Sequence, residues 1–299
     1  MMTGLYNLIR RNCRLFFKDR GAFFSSLISP VILLVLYATF LNGVYRDAFT
    51  ANIPAGFSLP ESVVAALANG QLASSLLAVS CVTVAFCSNM MMVQDKVSGA
   101  RRDLTVTPVR KSTLALSYYV ATLLSSLLIC LVAAGICFLY MLKTGWYFSA
   151  GDVGLIVLDI FLLVMFGTAL SSIVNVFLTT QGQISAVGTV VSSGYGFICG
   201  AYMPISQFGA GLQRVLSLLP GTYGTSLIRN HAMQGAFREM RNQHVPDAVI
   251  QGIMDSVDCR PACFGHTISV PQMYAIMIVT IAVLIAVYVL INKLRRENG

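Results

Sequence analysis

The chain has 299 residues, of which 56% are hydrophobic and only 11% are charged. A soluble domain normally has about a quarter of its residues charged, and its core helices carry charge on an outer face, so this composition disfavours a soluble fold. The net charge of +8 requires no nucleic-acid partner, because anionic lipid head groups attract the same basic residues. The sequence has no G-x-x-x-x-G-K-[ST] phosphate loop, H-E-x-x-H motif or G-x-S-x-G motif. We therefore expect a membrane protein that binds no cofactor and is not an enzyme by itself.

Residues 1–24 predict an amphipathic helix that lies along the membrane surface. On a helical wheel the apolar side chains fall on one side, and these are Leu5, Leu8, Ile9, Cys13 and Phe16. The opposite side carries Asn7, Arg11, Arg14 and Lys18. An apolar face in lipid with cations at the phosphates is typical of such a helix, although the same face could dock on a partner protein.

Five stretches of the chain contain no charged residue, and they are 21–45, 62–94, 112–142, 160–213 and 261–292. A helix needs roughly 20 apolar residues to cross a bilayer, so each stretch is long enough for a span. The fourth stretch is too long for one crossing, and the polar sequence TTQGQ at 179–183 predicts a tight turn within it. The expected fold is an all-α membrane protein that forms one transmembrane domain over residues 1–299. Its six spans are expected at roughly 25–45, 72–93, 114–141, 153–178, 183–203 and 271–292.

The distribution of Lys and Arg predicts which side of the membrane each loop faces. With six spans both termini lie on the same side as the loop at 94–112, and most of the basic residues fall on that side. They are Arg10, Arg11, Arg14, Lys18, Arg20, Lys96, Arg101, Arg102, Arg110, Lys111, Lys293, Arg295 and Arg296. The positive-inside rule therefore places both termini and this loop in the cytoplasm.

The loop sequence DKVSGARRDLTVTPVRKS at 95–112 predicts a short surface helix between two turns. Gly99 interrupts the helix that leaves the second span, and Pro108 favours an extended conformation at Thr107. A short charged helix between two turns is well shaped to dock into a groove of another protein. The alternative is a basic loop that merely follows the positive-inside rule.

The residues of this short helix divide into a charged face and an apolar face. Arg101, Arg102 and Asp103 are expected to face the cytoplasm. Leu104 and Val106 would then lie against the membrane or a partner.

The segment 200–223 predicts a second short helix, on the outer side. Met203 and Pro204 end one helix, and Pro220 with Gly221 ends the next. Between them apolar residues recur at helical spacing, namely Leu212, Val215, Leu216 and Leu219. A helix this short cannot cross the membrane, so we expect it to lie at the outer surface or to dip in and return.

The outer loop 230–268 predicts a small packed cap. Pro246 and Asp247 can start a helix, and the residues that share its apolar face are Ile250, Ile253, Met254 and Val257. The loop also holds most of the charge expected on the outer side.

Two of the eight cysteines, Cys259 and Cys263, fall on the expected outer side. Oxidising surroundings there favour a disulfide between them. His244 and His266 leave open a metal site as a weaker alternative, and we expect no bound metal.

Three of the polar residues within the predicted spans are candidates for a functional role. Asp159 is the one acidic residue among them, and Asn89 and Asn175 are the others considered. Such residues usually face a cavity or a polar partner, so all three are candidates for a substrate path. The alternatives are a solvated position for Asp159, which lies near the outer end of its span, and hydrogen bonds between helices for the two asparagines.

The loop after the second span resembles the coupling-helix segment of the second permease type of ATP-binding-cassette exporters, which often reads E-K-x-x-G-T-x-x-x-L-x-x-T-P-V. The matching residues are Asp95, Lys96, Gly99, Leu104, Thr107, Pro108 and Val109. The stretch GAYMPISQFGAGLQRVLSLLPGTYGTSLIR at 200–229 resembles that family's segment after the fifth span. Asp95 stands where Glu is more usual and Ala100 where Thr is, and the loop 230–268 is longer than the typical outer segment.

This resemblance implies the permease subunit of an ATP-driven exporter in the plasma membrane of a bacterial cell. Separate cytoplasmic ATPase subunits, which bind ATP and Mg, would dock on the segment 95–108, and a second permease subunit would complete the pathway. The coupling residues would be Asp95, Lys96, Gly99, Arg101, Arg102, Asp103, Leu104, Thr107 and Pro108. The region 204–268 would form outer gate helices and the cap, and the gate residues would be Gly200, Pro204, Leu212, Leu216 and Pro220.

The long uncharged spans favour an amphipathic or hydrophobic substrate, such as a drug, an antimicrobial peptide or a lipid. A polysaccharide or glycolipid exporter of the same class is the alternative, favoured by Tyr118, Tyr119, Tyr140, Trp146 and Tyr147. These residues equally suit an aromatic belt at the membrane surface. From another class, the alternatives are a secondary carrier that works without ATP and a membrane scaffold.

Overall fold

The computed structural model describes residues 2–51, 59–106 and 109–297. The first part of the chain forms α1 (Met2–Lys18), α2 (Arg20–Leu36), a π-helical turn (Tyr37–Leu41), α3 (Asn42–Ala51), α4 (Glu61–Asn89), α5 (Met91–Val97), α6 (Ala100–Val106) and α7 (Lys111–Thr144). The second part forms α8 (Ala150–Phe177), α9 (Gln181–Ile198), a 3-10 turn (Ile205–Gln207), α10 (Ala210–Leu216), α11 (Pro220–Asn242), α12 (Asp247–Ser256), β1 (Ala262–Cys263), β2 (His266–Thr267) and α13 (Val270–Glu297). Over these residues the protein is helical apart from the small antiparallel hairpin of β1 and β2.

Five helical segments of the described chain are long and apolar enough to cross a membrane. They are Arg20–Thr50, Glu61–Val97, Lys111–Thr144, Ala150–Phe177 and Val270–Leu294. These segments confirm the all-α membrane class and match five of the predicted spans. The remaining predicted span, 183–203, is also helical, as α9. It is not among the five, because the Gln, Ser, Thr and Gly along its 18 residues make it less apolar than they are.

Helix α4 lies at the centre of the bundle, where it contacts α2, α3, α7, α8, α9 and α11. Its sequence is rich in Ala and Ser, and such small residues let helix backbones approach closely. A Cβ added to Gly70 would lie 2.6 Å from the carbonyl oxygen of Ala232 in α11. A Cβ added to Gly167 of α8 would lie 3.0 Å from the Cα of Val82. Close backbone contact on two sides therefore fixes α8 and α11 against α4.

The predicted amphipathic N-terminal helix is present as α1, but its apolar face packs on protein. Leu8 and Phe16 are buried in a cluster with residues of α4, α7 and α13. The side-chain amide of Asn12 donates to the hydroxyl of Ser117 in α7 at 3.4 Å. The prediction that this face lies in lipid is therefore wrong, because α7 offers it both apolar and polar partners. Helix α1 also ends before residue 24, since Asp19 caps α2.

Pro220 begins a helix instead of ending one. The predicted short outer helix is present as α10, but the residues that follow it form the 23-residue helix α11, which the sequence pattern did not predict. Proline suits the first turn of a helix because its φ angle is already helical and no N–H is lost. Most residues of α11 are buried, and the helix contacts α4, α8 and α13. The first part of the predicted outer loop therefore belongs to the helix bundle.

The helix predicted from Pro246 onward is α12, and its Ile250 and Ile253 are buried against α4 and α11. The two cysteines that follow are free thiols. The Sγ atom of Cys259 lies 3.9 Å from the sulfur of Met233, and that of Cys263 lies 3.9 Å from a backbone carbonyl. The structure therefore lacks the expected disulfide, because the two sulfur atoms have separate partners.

Candidate functional site

The predicted coupling segment begins with a buried carboxylate, Asp95, near the end of α5. Asp95 is 5% exposed. The guanidinium of Arg11 donates to its two oxygens at 2.8 and 3.1 Å, and the hydroxyl of Tyr118 donates to it at 2.5 Å. Hydrogen bonding to Asp95 raises the pKa of Arg11, and desolvation partly opposes that rise. Asp95 therefore ties the segment to α1 and α7 and presents no free carboxylate to a partner.

Lys96 ties the same segment to α8. Its Nζ atom donates to the carbonyl oxygens of Asn175, Val176 and Leu178 at 2.7, 2.9 and 3.1 Å. The last carbonyls of a helix lack amide partners, and the helix dipole favours a cation beside them. Lys96 therefore joins the segment to the C-terminal end of α8.

A glycine separates these two anchors from α6. Gly99 has a φ of +83°, and a Cβ added to it would meet no atom within 4 Å. Glycine is required here for the left-handed backbone and not for lack of space. The turn separates α6 from α5, and none of the residues of α6 is buried.

The exposed surface of α6 carries both charge and an apolar side chain. Arg102 and Asp103 are exposed, Arg101 is half-buried, and Val106 is 83% exposed. Leu104 instead packs partly against the cluster between α1 and α7. The apolar side of this helix is therefore divided, with one residue held by the protein and one free to contact a partner or lipid.

The predicted coupling residues thus occupy three kinds of position. Asp95 and Lys96 are anchors, Gly99 forms the turn, and α6 supplies exposed surface. Thr107 and Pro108, at the end of the predicted segment, lie outside the described residues.

A groove of about 1080 Å³ lies between α2 and α9, with residues of α4 and α5 beneath it. Ala201 and Tyr202, which follow α9, line it at the end away from α5. Its polar side chains include Ser75, Gln94, Ser185, Thr189 and Ser193. A cavity of this size with mixed polar and apolar walls can hold an amphipathic molecule.

Asp159 binds to two neighbouring helices and does not line this groove. Its carboxylate lies 2.6 Å from Nδ1 of His231 in α11 and accepts a 2.6 Å hydrogen bond from the hydroxyl of Tyr274 in α13. The residue is 2% exposed, so the predicted alternative of a solvated position is wrong. Asp159 instead joins α8, α11 and α13 at a buried point.

The two asparagines have different surroundings, and neither lines the groove. The amide nitrogen of Asn89 donates to the hydroxyls of Ser171 and Ser172, both at 2.9 Å. Asn89 also accepts a 3.3 Å hydrogen bond from Thr122, so it bonds α4 to α7 and α8. The side-chain amide of Asn175 is buried and has no hydrogen-bond partner among the described residues.

Two of the predicted gate residues lie in the turn after α9. Gly200 has a φ of +72°, and a Cβ added to it would lie 2.9 Å from the side chain of Ile205. Both the backbone angle and the space therefore require glycine. Pro204 is buried in the same turn.

The other predicted gate residues lie on α10 and at its junction with α11. Leu212 is 47% exposed, whereas Leu216 is buried. The carbonyl of Leu216 accepts a 2.9 Å hydrogen bond from the hydroxyl of Thr222, just after Pro220. The five predicted gate residues thus form two groups. Gly200 and Pro204 lie in the turn after α9, whereas the other three lie on α10 and at the start of α11.

Sequence reasoning missed the polar face of α11. His231 lies against Asp159 of α8, and Arg238 pairs with Asp152 of α8 with one N–O distance of 3.1 Å. The two acids are seven residues apart in α8, and the two bases are seven residues apart in α11. A spacing of seven places side chains on one helix face, so this match was the available signal for two antiparallel helices in contact.

No group of three or more His, Cys, Asp or Glu residues that could hold a metal occurs within 2–51, 59–106 and 109–297. Nothing in the structure therefore supports the metal alternative at His244 and His266.

Most of the chain matches a known protein family. Residues 51–291 match the family described as ABC-2 family transporter protein, which covers the chain from before α4 to near the end of α13. No curated protein sequence matches the chain. The family match confirms the resemblance inferred from the loop after the second span. The chain therefore belongs to the ABC-2 transporter family, as a membrane permease of the kind that generally pairs with ATPase subunits and has no ATPase activity itself.

Proposed function

We propose that this chain is the transmembrane subunit of an exporter, and that cytoplasmic ATPase subunits dock on α6 and drive it. The observation that carries this proposal is that Asp95 and Lys96 fix the coupling segment to α1, α7 and α8, while α6 has no buried residue. A helix that is exposed yet firmly attached can receive a movement from a partner and pass it to the bundle. ATP and Mg would bind to the partners and not to this chain.

We include in this proposal six membrane spans, with both termini in the cytoplasm. Helix α9 would be the sixth span, in addition to the five long apolar segments. Ile184 near the start of α9 clusters with Val93. Tyr195 near its end belongs to the same cluster as Leu72. The 18 residues of α9 rise about 27 Å, which is close to the thickness of the hydrocarbon core, about 30 Å. This extent supports a full crossing by α9.

A second permease subunit would cover the groove and make it a pathway. Helix α9 exposes Ser185, Thr189 and Ser193 along one side. Polar side chains are unfavourable against hydrocarbon but suit a water-filled path or a neighbouring helix. A second copy of this chain, or a related subunit, placed against α9 would enclose these residues.

The proposed substrate is amphipathic or hydrophobic, because the groove mixes apolar walls with polar side chains, most of them neutral and one of them the acid Asp19. The aromatic residues favoured for a polysaccharide path, such as Tyr118 and Trp146, do not line it. Four other aromatic residues do, and they are Tyr37, Tyr45, Phe197 and Tyr202. A glycolipid or polysaccharide is therefore the second candidate, since sugar rings stack on such side chains.

Reconstitution with the ATPase subunit tests this proposal. The chain is purified with the ATPase that associates with it, and the complex is placed in inside-out vesicles with an amphipathic dye, a cationic peptide, a fluorescent lipid or a glycolipid. The proposal expects ATP-dependent uptake of one of the first three and stimulation of hydrolysis by the same compound. Uptake driven by a proton gradient without ATP would favour a secondary carrier, and ATPase binding without any transport would favour a scaffold.

A further inference from the structure

The turn after α9 is held by two buried charged residues that come from distant parts of the chain. We define the gate turn as residues 200–206, which contain the predicted gate residues Gly200 and Pro204. Arg229 of α11 binds one end of this turn, and Asp258 of the cap binds the other. Neither charged residue was singled out by the sequence.

Arg229 binds the first residue of the gate turn. It is 1% exposed, one of the largest fully buried side chains among the described residues. One terminal nitrogen donates to the carbonyl oxygen of Gly200 at 2.7 Å, and the other donates to that of Val257 at 2.6 Å. Burial of a guanidinium is costly unless its N–H groups find acceptors. Arg229 therefore links the gate turn to the end of the cap helix α12 by bonds that a shorter or neutral side chain cannot reproduce.

Asp258 binds the last two residues of the gate turn. It is 6% exposed and accepts hydrogen bonds from the backbone amides of Ile205 and Ser206, the latter at 3.3 Å. Its backbone has a φ of +55°, a conformation that Asp and Asn tolerate better than most residues. Burial raises the pKa of Asp258, and the charge of Arg229 together with the bonded amides opposes that rise.

The two charged side chains hold the turn through complementary groups. Arg229 donates a hydrogen bond to a carbonyl at the start of the turn, and Asp258 accepts hydrogen bonds from backbone amides at its end. These contacts extend to α10, because the side-chain amide nitrogen of Gln213 donates to the backbone carbonyls of Ser206 and Phe208 at 2.9 and 2.7 Å. Within the turn, Ala201 and Tyr202 line the end of the groove. Whatever fixes the gate turn therefore also fixes that end of the groove.

We propose that Arg229 and Asp258 are positioning residues of the outer gate, which clamp the gate turn against α11 and the cap and so keep this end of the groove closed. In the transport cycle the turn opens by giving up these hydrogen bonds. This inference rests on the proposed export function, in which this end of the groove is the outer one.

Native cysteines allow the clamp to be tested directly. Cys199, which precedes the gate turn, is 1% exposed, and Cys259, which follows Asp258, is fully buried. Burial raises the pKa of Cys259 to about 12, so its thiol reacts slowly while it stays covered. Cys263 is only half-buried and serves as an internal reference.

The test measures how fast a membrane-impermeant maleimide labels each cysteine from the outside, with mass spectrometry to resolve the sites. Arg229→Met and Asp258→Asn are expected to speed labelling of Cys199 and Cys259 at least about fivefold, and to leave Cys263 within about twofold, because only the clamp is released. Arg241→Met is the matched control, since Arg241 lies on the same helix but is 52% exposed. The cysteines of this variant are expected to be labelled at the same rates as those of the wild type.

Two further measurements separate a clamp from a general role in folding. Hydrogen exchange of α11 is expected to stay as in the wild type, and Arg229→Lys, which can bind one carbonyl, is expected to show an intermediate labelling rate. Unchanged labelling in correctly inserted Arg229→Met and Asp258→Asn would overturn the proposal. So would faster labelling accompanied by faster exchange along α11, because that result describes unfolding. If Arg229→Met does not insert, Asp258→Asn decides by the same criteria.

The labelling test is independent of the proposed function, because it needs neither the ATPase nor a substrate. A wild-type complex that transports nothing would contradict the export function and leave the labelling result standing. Labelling that does not respond to either substitution would contradict the clamp even if ATP-driven transport is observed.

Discussion

The coupling segment and the gate turn are both held by charged side chains, but they differ in what they leave exposed. At the coupling segment, Asp95 and Lys96 are anchored and the next helix, α6, has no buried residue. At the gate turn, Arg229 and Asp258 hold the backbone against the chain's own cap. Under the proposed function the first region would meet an ATPase subunit, whereas the contacts of the second lie within this chain. Force would then enter at α6, and the gate turn would respond to it.

Helix α8 connects the two regions. Its C-terminal carbonyls bind Lys96, and its other half binds α11 through Asp159 and Asp152. Helix α11 in turn carries Arg229. A rigid helix with buried contacts at both ends can couple two sites, provided that the bundle has two arrangements that both sites bias.

The largest expected effect comes from removing an anchor of the coupling segment. Asp95→Ala leaves Arg11 and Tyr118 without their shared acceptor, and we expect a loss of about 2–4 kcal/mol in the free energy of unfolding. Asp103→Ala is the control, because Asp103 lies exposed on α6, and we expect a change of less than about 0.5 kcal/mol. Thermal unfolding in detergent measures both variants. Equal stability of the two would show that Asp95 is not an anchor.

The next effect concerns Asp159, which the sequence suggested for the substrate path. Asp159→Asn removes the charge that faces His231 and Tyr274, and we expect a loss of about 1–3 kcal/mol. Because the residue does not line the groove, the compounds that stimulate ATP hydrolysis should stay the same. Asp152→Asn is the matched control, and its loss should be at most about 1 kcal/mol because its partner is partly exposed. A changed set of stimulating compounds for Asp159→Asn would return this residue to the substrate path.

A third prediction tests the turn between the anchors and α6. Proline fixes φ near −65°, so it cannot adopt the φ of +83° found at Gly99. Gly99→Pro should leave membrane insertion intact but uncouple ATP hydrolysis from transport, since α6 loses its position. Gly154→Ala provides the control, because Gly154 lies within α8 where an added Cβ meets no atom within 4 Å. Normal transport by Gly99→Pro in reconstituted vesicles would refute the role of the turn.

The smallest effect on stability is expected for the exposed apolar residue of α6. Val106→Asp should change the free energy of unfolding by less than about 0.5 kcal/mol, because Val106 already faces solvent. It should nevertheless weaken ATPase binding at least about tenfold, if Val106 lies in the interface. Leu104→Asp is the comparison. It should lower the free energy of unfolding by about 1–2 kcal/mol, because Leu104 is partly packed. Undiminished ATPase binding by Val106→Asp would place the interface elsewhere.

The spans were predictable because charge is excluded from the hydrocarbon core, so the uncharged stretches mark the helices. The turn at Gly99 was predictable because Gly99 and the residues around it form a local pattern. Helix α11 was missed for the opposite reason. Its Arg229, His231 and Arg238 look like residues of a solvated loop. Arg229 and His231 are buried only because α8 and the cap supply partners from distant parts of the sequence.

The same limit explains the error at the N-terminus. The apolar face of α1 is visible in the sequence, but the surface that covers it is not. Lipid and the side of α7 are both apolar, and the hydrogen bonds of Asn12 and Arg11 that select α7 depend on Ser117 and Asp95. The sequence shows that a face will be buried and leaves its partner to the tertiary structure.

Labelling of Cys199 in the complete complex shows whether movement at α6 reaches the gate turn. The complex with the ATPase is labelled with and without ATP, using the wild type and Gly99→Pro. If movement passes from α6 to the gate turn, ATP changes the labelling rate of Cys199 at least about threefold in the wild type and leaves it unchanged in Gly99→Pro, with the ATPase bound in both. An equal response to ATP in the two proteins, or no response in the wild type, would contradict it.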